Sequence, residues 1–293
     1  MSPAIISVDQ LTKYYGHQVG VERASFTVNQ GEIFGFLGPN GAGKTTTLGL
    51  LHATNGTVTI FDQPVPKRSY EVRARCGYLP GNFIGYGHLT SEEFLRFSAK
   101  LRRAKPVLQE RLLDRFEVAG ETLKQKIRHL SHGTRQKLGI IAAFFHRPEL
   151  VILDEPTIGL DPLMQETFYD LLRETQDDGR TVFFSSHVLP EVEKTCQRVA
   201  IIRDGELVAL ETLDNLRRRR YRRLTVILEH DIGDCELPGA RLLATEGLRR
   251  EFVFNGDAGA LLRRLAELPV ADFVFPEPDL EDVFMAFYRN EER

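Results

Sequence analysis

Residues 38–45 read Gly38-Pro39-Asn40-Gly41-Ala42-Gly43-Lys44-Thr45 and satisfy the spacing G-x-x-x-x-G-K-[ST]. The chemistry such a run can do is anion capture. Glycines let a loop curl so that successive backbone N–H groups face one point, and a following helix adds the positive end of its dipole. There Lys44 can reach the β- and γ-phosphates of a nucleotide, and the Thr45 hydroxyl can ligate Mg2+. An ordinary Gly-rich turn carries similar letters, so the flanks decide. Ile33-Phe34-Gly35-Phe36-Leu37 is an apolar, strand-like run before the loop, and Thr46-Thr47-Leu48 can open a helix after it. The sequence predicts a nucleotide site here.

Two carboxylates lie far downstream, at the end of Leu150-Val151-Ile152-Leu153-Asp154-Glu155-Pro156. Four apolar residues in a row predict a buried parallel strand with its acids at the carboxyl end, where open α/β sheets place ligand chemistry. Asp154 would hold Mg2+, through water, and Glu155 would polarise an attacking water or accept its proton. The blander alternative is a turn cap and a solvated acid. Leu130-Ser131-His132-Gly133-Thr134-Arg135-Gln136-Lys137 opens a helix carrying Leu138, Ile141 and Phe145, with Ser131 as N-cap. Gly159-Leu160-Asp161-Pro162 follows the acidic strand. Thr181-Val182-Phe183-Phe184-Ser185-Ser186 is a further buried strand, and His187 stands just past its end, where a γ-phosphate contact is feasible and a satisfied structural histidine is the alternative.

The elements needed to position these groups fit a chain of 293 residues, long enough for one large domain and a small one. Hydrophobic and charged contents of 42% and 27% are those of an ordinary globular protein. A net charge of −3 gives no global reason to expect nucleic acid. Cys76, Cys196 and Cys235 have no metal-like spacing and suggest a reducing compartment. No signal peptide is expected, and the apolar stretch Leu138–Phe145 is less than half of a membrane span. Any membrane part would belong to another chain.

Taken together and in this order, the motifs resemble those of the ATP-binding subunit of an ABC transporter, over roughly residues 4–215. The fold class implied is α/β: a P-loop NTPase of the ABC ATPase type with a helical subdomain, plus a small C-terminal α+β domain. The resemblance makes residues 38–45 the Walker A motif and Leu130 to Gln136 the signature motif. Asp154 and Glu155 become the Walker B aspartate and catalytic glutamate, Asp161 the D-loop residue and His187 the switch histidine. It implies a nucleotide-binding set of Tyr15, Gly38, Pro39, Asn40, Gly41, Ala42, Gly43, Lys44, Thr45 and Thr46. Catalysis would fall to Glu155, His187 and Lys44, and Mg2+ to Thr45 and Asp154. Lys13-Tyr14-Tyr15-Gly16 resembles the A-loop, where Tyr15 rather than Tyr14 would stack on adenine. A strand-edge packing role is the alternative for either tyrosine.

The resemblance also implies partners. Such domains form head-to-tail dimers in which Ser131, Gly133 and Gln136 of one chain meet the ATP held by Lys44 of the other. The expected assembly is a homodimer on a separate transmembrane permease, at the cytoplasmic face of the membrane; a paralogous partner subunit would leave the same marks. Nucleic acid is not expected. ATP and Mg2+ are the expected ligands, and the work is export of a drug- or antibiotic-like cargo. The alternatives are a soluble ABC ATPase uncoupled from transport and a regulatory ATPase of slow turnover. Only one phosphate loop is present, and no coiled-coil or zinc insertion, which weighs against ribosome and DNA-repair types.

Two departures from the family pattern stand out. After Gly77-Tyr78-Leu79-Pro80 the family places the Q-loop glutamine, which helps ligate Mg2+ and signals to the membrane subunit; this chain has Gly81, then Asn82. Gly81 offers no side-chain ligand, so either Asn82 or water substitutes, or metal binding and coupling are weaker. The run from Thr45 to Gly56 is about four residues short, about one helical turn. Both bear on the efficiency of hydrolysis.

Residues from about 83 to 145 should form the helical subdomain, with Thr90-Ser91-Glu92-Glu93-Phe94 as a capped helix start. Phe83 and Tyr86 could dock a transmembrane partner or simply pack. Residues 1–215 would be the ATP-binding domain and 216–293 the accessory one. Its beginning is a basic run, Arg217-Arg218-Arg219-Arg220-Tyr221-Arg222-Arg223. A solvated helix end, contact with anionic lipid and contact with nucleic acid are its readings, in that order. A last helix carrying Val283, Phe284 and Phe287 would be capped by Asp279.

Overall fold

The computed structural model describes residues 3–16, 18–49, 55–65, 69–83, 85–118, 120–218, 222–233 and 235–275. The stretch 50–54, the centre of the basic run and the expected helix after Asp279 lie outside the described residues. The chain divides into two compact units, Met1–Thr212 and Leu213–Arg293.

The first unit is built on two sheets. β1 (Ala4–Tyr15), β2 (Gln18–Asn29), β4 (Asn55–Ile60) and β5 (Gln63–Val65) form an antiparallel sheet in the order β2-β1-β4-β5. The turn between β4 and β5 is Phe61-Asp62, both at positive φ (54° and 58°), the backbone a two-residue hairpin of type I′ requires. Phe61 in that turn has the Arg75 guanidinium 3.7 Å from its ring centre.

The second sheet has six strands in the order β10-β9-β3-β8-β7-β6: β10 (Glu206–Thr212), β9 (Arg198–Arg203), β3 (Ile33–Leu37), β8 (Thr181–Ser186), β7 (Leu150–Asp154) and β6 (Cys76–Leu79). All but β10 run parallel. β3, β7 and β8 are buried along their full length, which explains their unbroken apolar runs. Register then fixes the chemistry at one edge: Leu37 faces Ser186, Asp154 faces Ser185, and Leu79 faces Leu153. The loops after β3, β6, β7 and β8 therefore emerge side by side.

The two sheets share a core in which Phe26 of β2 stacks on Phe34 of β3 (centroids 5.9 Å) and Phe183 of β8 meets Phe34 and Phe36 edge-on. Each such pair adds about 0.5–1.5 kcal/mol beyond its buried area. Helices α1 (Lys44–Leu48), α2 (Ser69–Arg75), α3 (Ser91–Arg102), α4 (Gln109–Arg115), α5 (Glu121–Lys124), α6 (His132–Phe144), α7 (Pro162–Asp177) and α8 (Leu189–Thr195) complete the unit. α3 starts at a full capping box: Glu93 N donates to Thr90 Oγ1 (3.2 Å) and Thr90 N to Glu93 Oε2 (2.8 Å). Phe83 packs edge-on against Phe94 of α3 (5.4 Å), whereas Tyr86 is exposed and touches Phe97.

The second unit begins with α9 (Leu213–Arg218), which takes in the start of the basic run. An antiparallel sheet follows, in the order β12-β13-β11-β14, from β11 (Arg222–Leu228), β12 (Ala240–Glu246), β13 (Arg249–Phe254) and β14 (Val270–Val274). α10 (Ala258–Ala266), capped by Asp257, covers one sheet face with Leu261 and Leu265 against Leu224, Val226 and Phe252.

Candidate functional site

The loop between β3 and α1 wraps around its own lysine. Lys44 is buried and its Nζ donates to the carbonyls of Gly38 (2.7 Å) and Pro39 (3.0 Å). Gly43 sits at φ 101°, and a Cβ there would come within 2.1 Å of the Gly20 carbonyl oxygen, so glycine is demanded twice over. The helix that follows is five residues long, from Lys44 rather than Thr46.

Asp154, fully buried at the end of β7, is held on both oxygens. Ser185 Oγ donates to Oδ1 (2.5 Å) and Thr45 Oγ1 to Oδ2 (2.6 Å). Ser185 is the residue that sequence reasoning missed; its only signal is a hydroxyl closing an apolar strand. The same Oγ accepts from Glu155 N at 3.1 Å. Glu155 has φ 49°, a strained backbone for a non-glycine residue and one that turns its carboxylate back toward the loop. Its Oε2 lies 2.7 Å from His187 Nδ1, and its buried Oε1 lies 3.0 Å from Lys44 Nζ with no hydrogen bond of its own. Lys44 and Thr45 at the start of α1, Asp154 and Glu155 at the end of β7, and His187 just after β8 thus form one cluster.

A cavity of about 280 Å3 opens beside it, lined by Tyr15, Asn40, Gly41, Gly43, Lys44, Thr45, Thr46 and Glu155, with Val19 and Gly20 of β2 as a wall the sequence did not reveal. Tyr15 is more than half exposed there, with the Lys13 ammonium 5.5 Å from its ring centre. Tyr14 instead donates its hydroxyl to Glu22 (3.4 Å). A larger cavity, about 420 Å3, lies between Leu48, Tyr70, Tyr78 and Leu101 and is mainly apolar. Charge and hydrogen-bond donors make the smaller one the candidate for a phosphate.

The hydroxyl of Thr45 and the carboxylate of Asp154 are hard oxygen donors, the kind Mg2+ takes, and they meet at the loop that would carry phosphates. The residues fit the metal.

Ser131 caps α6, accepting from Thr134 N (3.1 Å), and is exposed. Gly133 lies so close to the loop after β7 that a Cβ would reach the Gly159 carbonyl at 2.6 Å. Gln136 is buried and its Nε2 donates to the Glu155 and Pro156 carbonyls (3.3 and 2.9 Å). Its amide ties α6 to this chain's own acidic loop. Asp161 caps α7, accepting from Met164 N (3.0 Å), with Pro162 in the first turn.

A curled loop with a buried lysine, a parallel sheet and two acids at the neighbouring strand end define a P-loop nucleotide-hydrolysing domain. The family model for ABC transporters matches residues 21–158. The bacitracin transport ATP-binding protein of Bacillus licheniformis is 36% identical over 96% of both chains. The linearmycin resistance ATP-binding protein of Bacillus subtilis is 34% identical over 72% of this chain and 70% of its own. Among solved structures, an ATP-binding subunit of an ABC transporter aligns with a TM-score of 0.67 and 32% identity, over 73% of this chain and 92% of the other. The chain belongs to the ATP-binding proteins of the ABC transporter family, and it is an ATPase. Among the described residues no helix is long and apolar enough to cross a membrane.

Proposed function

We propose that this chain powers a membrane exporter by binding and hydrolysing ATP, working as a pair on a separate transmembrane protein. One observation carries the proposal: the convergence of Lys44, Thr45, Asp154, Glu155 and His187 at one edge of the parallel sheet. Tyr15 would hold the adenine, and the N–H groups of residues 38–46 the phosphates. Lys44 would leave the Gly38 and Pro39 carbonyls to meet the β- and γ-phosphates. Thr45 and Asp154 would hold Mg2+, which when bound draws charge from the phosphate oxygens. Glu155 would orient the attacking water and take its proton, while His187 holds the carboxylate in place. Ser131 and Gly133 would close on the ATP of a second copy, so that ATP joins two chains and hydrolysis parts them.

Export of an antibiotic-like compound is supported by the likeness to the bacitracin transport protein, which extends over the second unit as well. The test is capture of the tagged chain, at native expression, from membranes in mild detergent. A polytopic membrane protein in equal amount is expected. Recovery only in the soluble fraction, or with ribosomes, would overturn the reading.

A further inference from the structure

The loop after β6 passes directly under the Asp154 carboxylate. Parallel pairing of β6 with β7 sets Leu79 beside Leu153. Two residues on, a Cβ built at Gly81 would stand 2.7 Å from Asp154 Oδ2 and 3.1 Å from its Cγ. The carboxylate has little freedom to retreat, since it is fully buried and pinned by Ser185 at 2.5 Å and Thr45 at 2.6 Å. Rotation away from residue 81 would sacrifice charge-assisted hydrogen bonds.

We propose that Gly81 is a positioning residue for the metal site: its missing side chain is the space that lets Asp154 lie against Thr45. The glycine is then matched to this acid and is not merely a lost ligand. A side chain placed at 81, the glutamine of the family pattern included, pushes Asp154 off Thr45 and weakens metal-assisted nucleotide binding. The inference rests on the assignment of Thr45 and Asp154 to Mg2+.

The experiment measures, by titration calorimetry on the full chain, the affinity for a non-hydrolysable ATP analogue with Mg2+ and with EDTA. The ratio of the two is the metal-dependent gain. Gly81→Ala should lower that gain about tenfold, the cost of overpacking one atom into a close-packed site, and Gly81→Gln, which carries the same Cβ and four atoms more, at least as much, with the EDTA affinity unchanged. Ser185→Ala frees one side of the carboxylate, so Gly81→Ala should cost much less in that background, a coupling that a double-mutant cycle reads directly. The double variant also serves if Gly81→Ala alone does not fold, for relief of the contact should then restore folding. An unchanged or larger gain in Gly81→Gln, or strictly additive effects in the cycle, would overturn the proposal. Asp154→Asn separates it from its premise. A lost gain there, beside an unaffected Gly81→Ala, rejects Gly81 alone; an unaffected gain there rejects the metal assignment itself.

Discussion

His187 Nδ1 stands 2.7 Å from Glu155 Oε2, across the ends of two neighbouring strands. The carboxylate's other oxygen lies 3.0 Å from Lys44 Nζ. Glu155 is therefore held between a histidine and the loop lysine, and its geometry depends on both. Phosphoryl transfer asks chiefly for a positioned nucleophile, so loss of the histidine should act on turnover rather than on binding. We expect His187→Ala to lower kcat about 10–100-fold with ATP affinity nearly unchanged, read from steady-state hydrolysis beside equilibrium nucleotide binding. An equal loss in both would make the contact structural.

Gly43 carries a prediction about binding. Its φ is 101°, and a Cβ added there would stand 2.1 Å from the Gly20 carbonyl oxygen, so alanine fits only if β2 moves or the loop opens. Gly43→Ala should weaken ATP binding roughly 100-fold. Binding within a few-fold of the unmodified chain would mean the loop has another conformation with ATP.

Ser185 has a structural consequence. Removing its hydroxyl takes one donor from a fully buried carboxylate and the acceptor from Glu155 N. Ser185→Ala should cost about 1–3 kcal/mol in denaturant unfolding of the first unit. A change below about 0.5 kcal/mol would show that water replaces the hydroxyl at no penalty.

His146 predicts a pH dependence unrelated to catalysis. Burial, followed by the positive charge of Arg102, pushes the imidazole down to about 4, although its Nε2 stands 3.2 Å from the Cys76 carbonyl. The unfolded chain binds the proton near pH 6.5 and the folded one does not. The neutral ring's contribution is thus complete above about 6.5 and is lost as pH falls toward 4. His146→Asn should flatten the stability profile in that window by on the order of 2 kcal/mol. Parallel profiles would contradict it.

Motif spacing made much of the site readable. The loop from Gly38 to Thr45 and the acids after Leu153 are local patterns, and the buried runs Ile33–Leu37 and Thr181–Ser186 read as strands because parallel strands are covered on both faces. What stayed hidden depends on contacts between distant segments. Nothing in the letters around Ser185 says that it faces Asp154; the register of β7 against β8 does. Gly20 walls the cavity only because β2 crosses the loop, and Gln136 turns inward only because α6 packs as it does. The letters around Gln136 likewise do not say that its amide meets the Glu155 and Pro156 carbonyls of its own chain. Gly81 appeared from the sequence as a missing ligand, while the fold sets it against Asp154.

The most direct test compares the unmodified chain with Glu155→Gln for ATP hydrolysis and ATP binding. The amide keeps the shape of the side chain and removes its charge and basicity. Equal ATP affinity within a few-fold is expected, with hydrolysis lowered about 100-fold or more. Hydrolysis at the unmodified rate would contradict the role of Glu155 and, with it, the site described around Lys44 and His187.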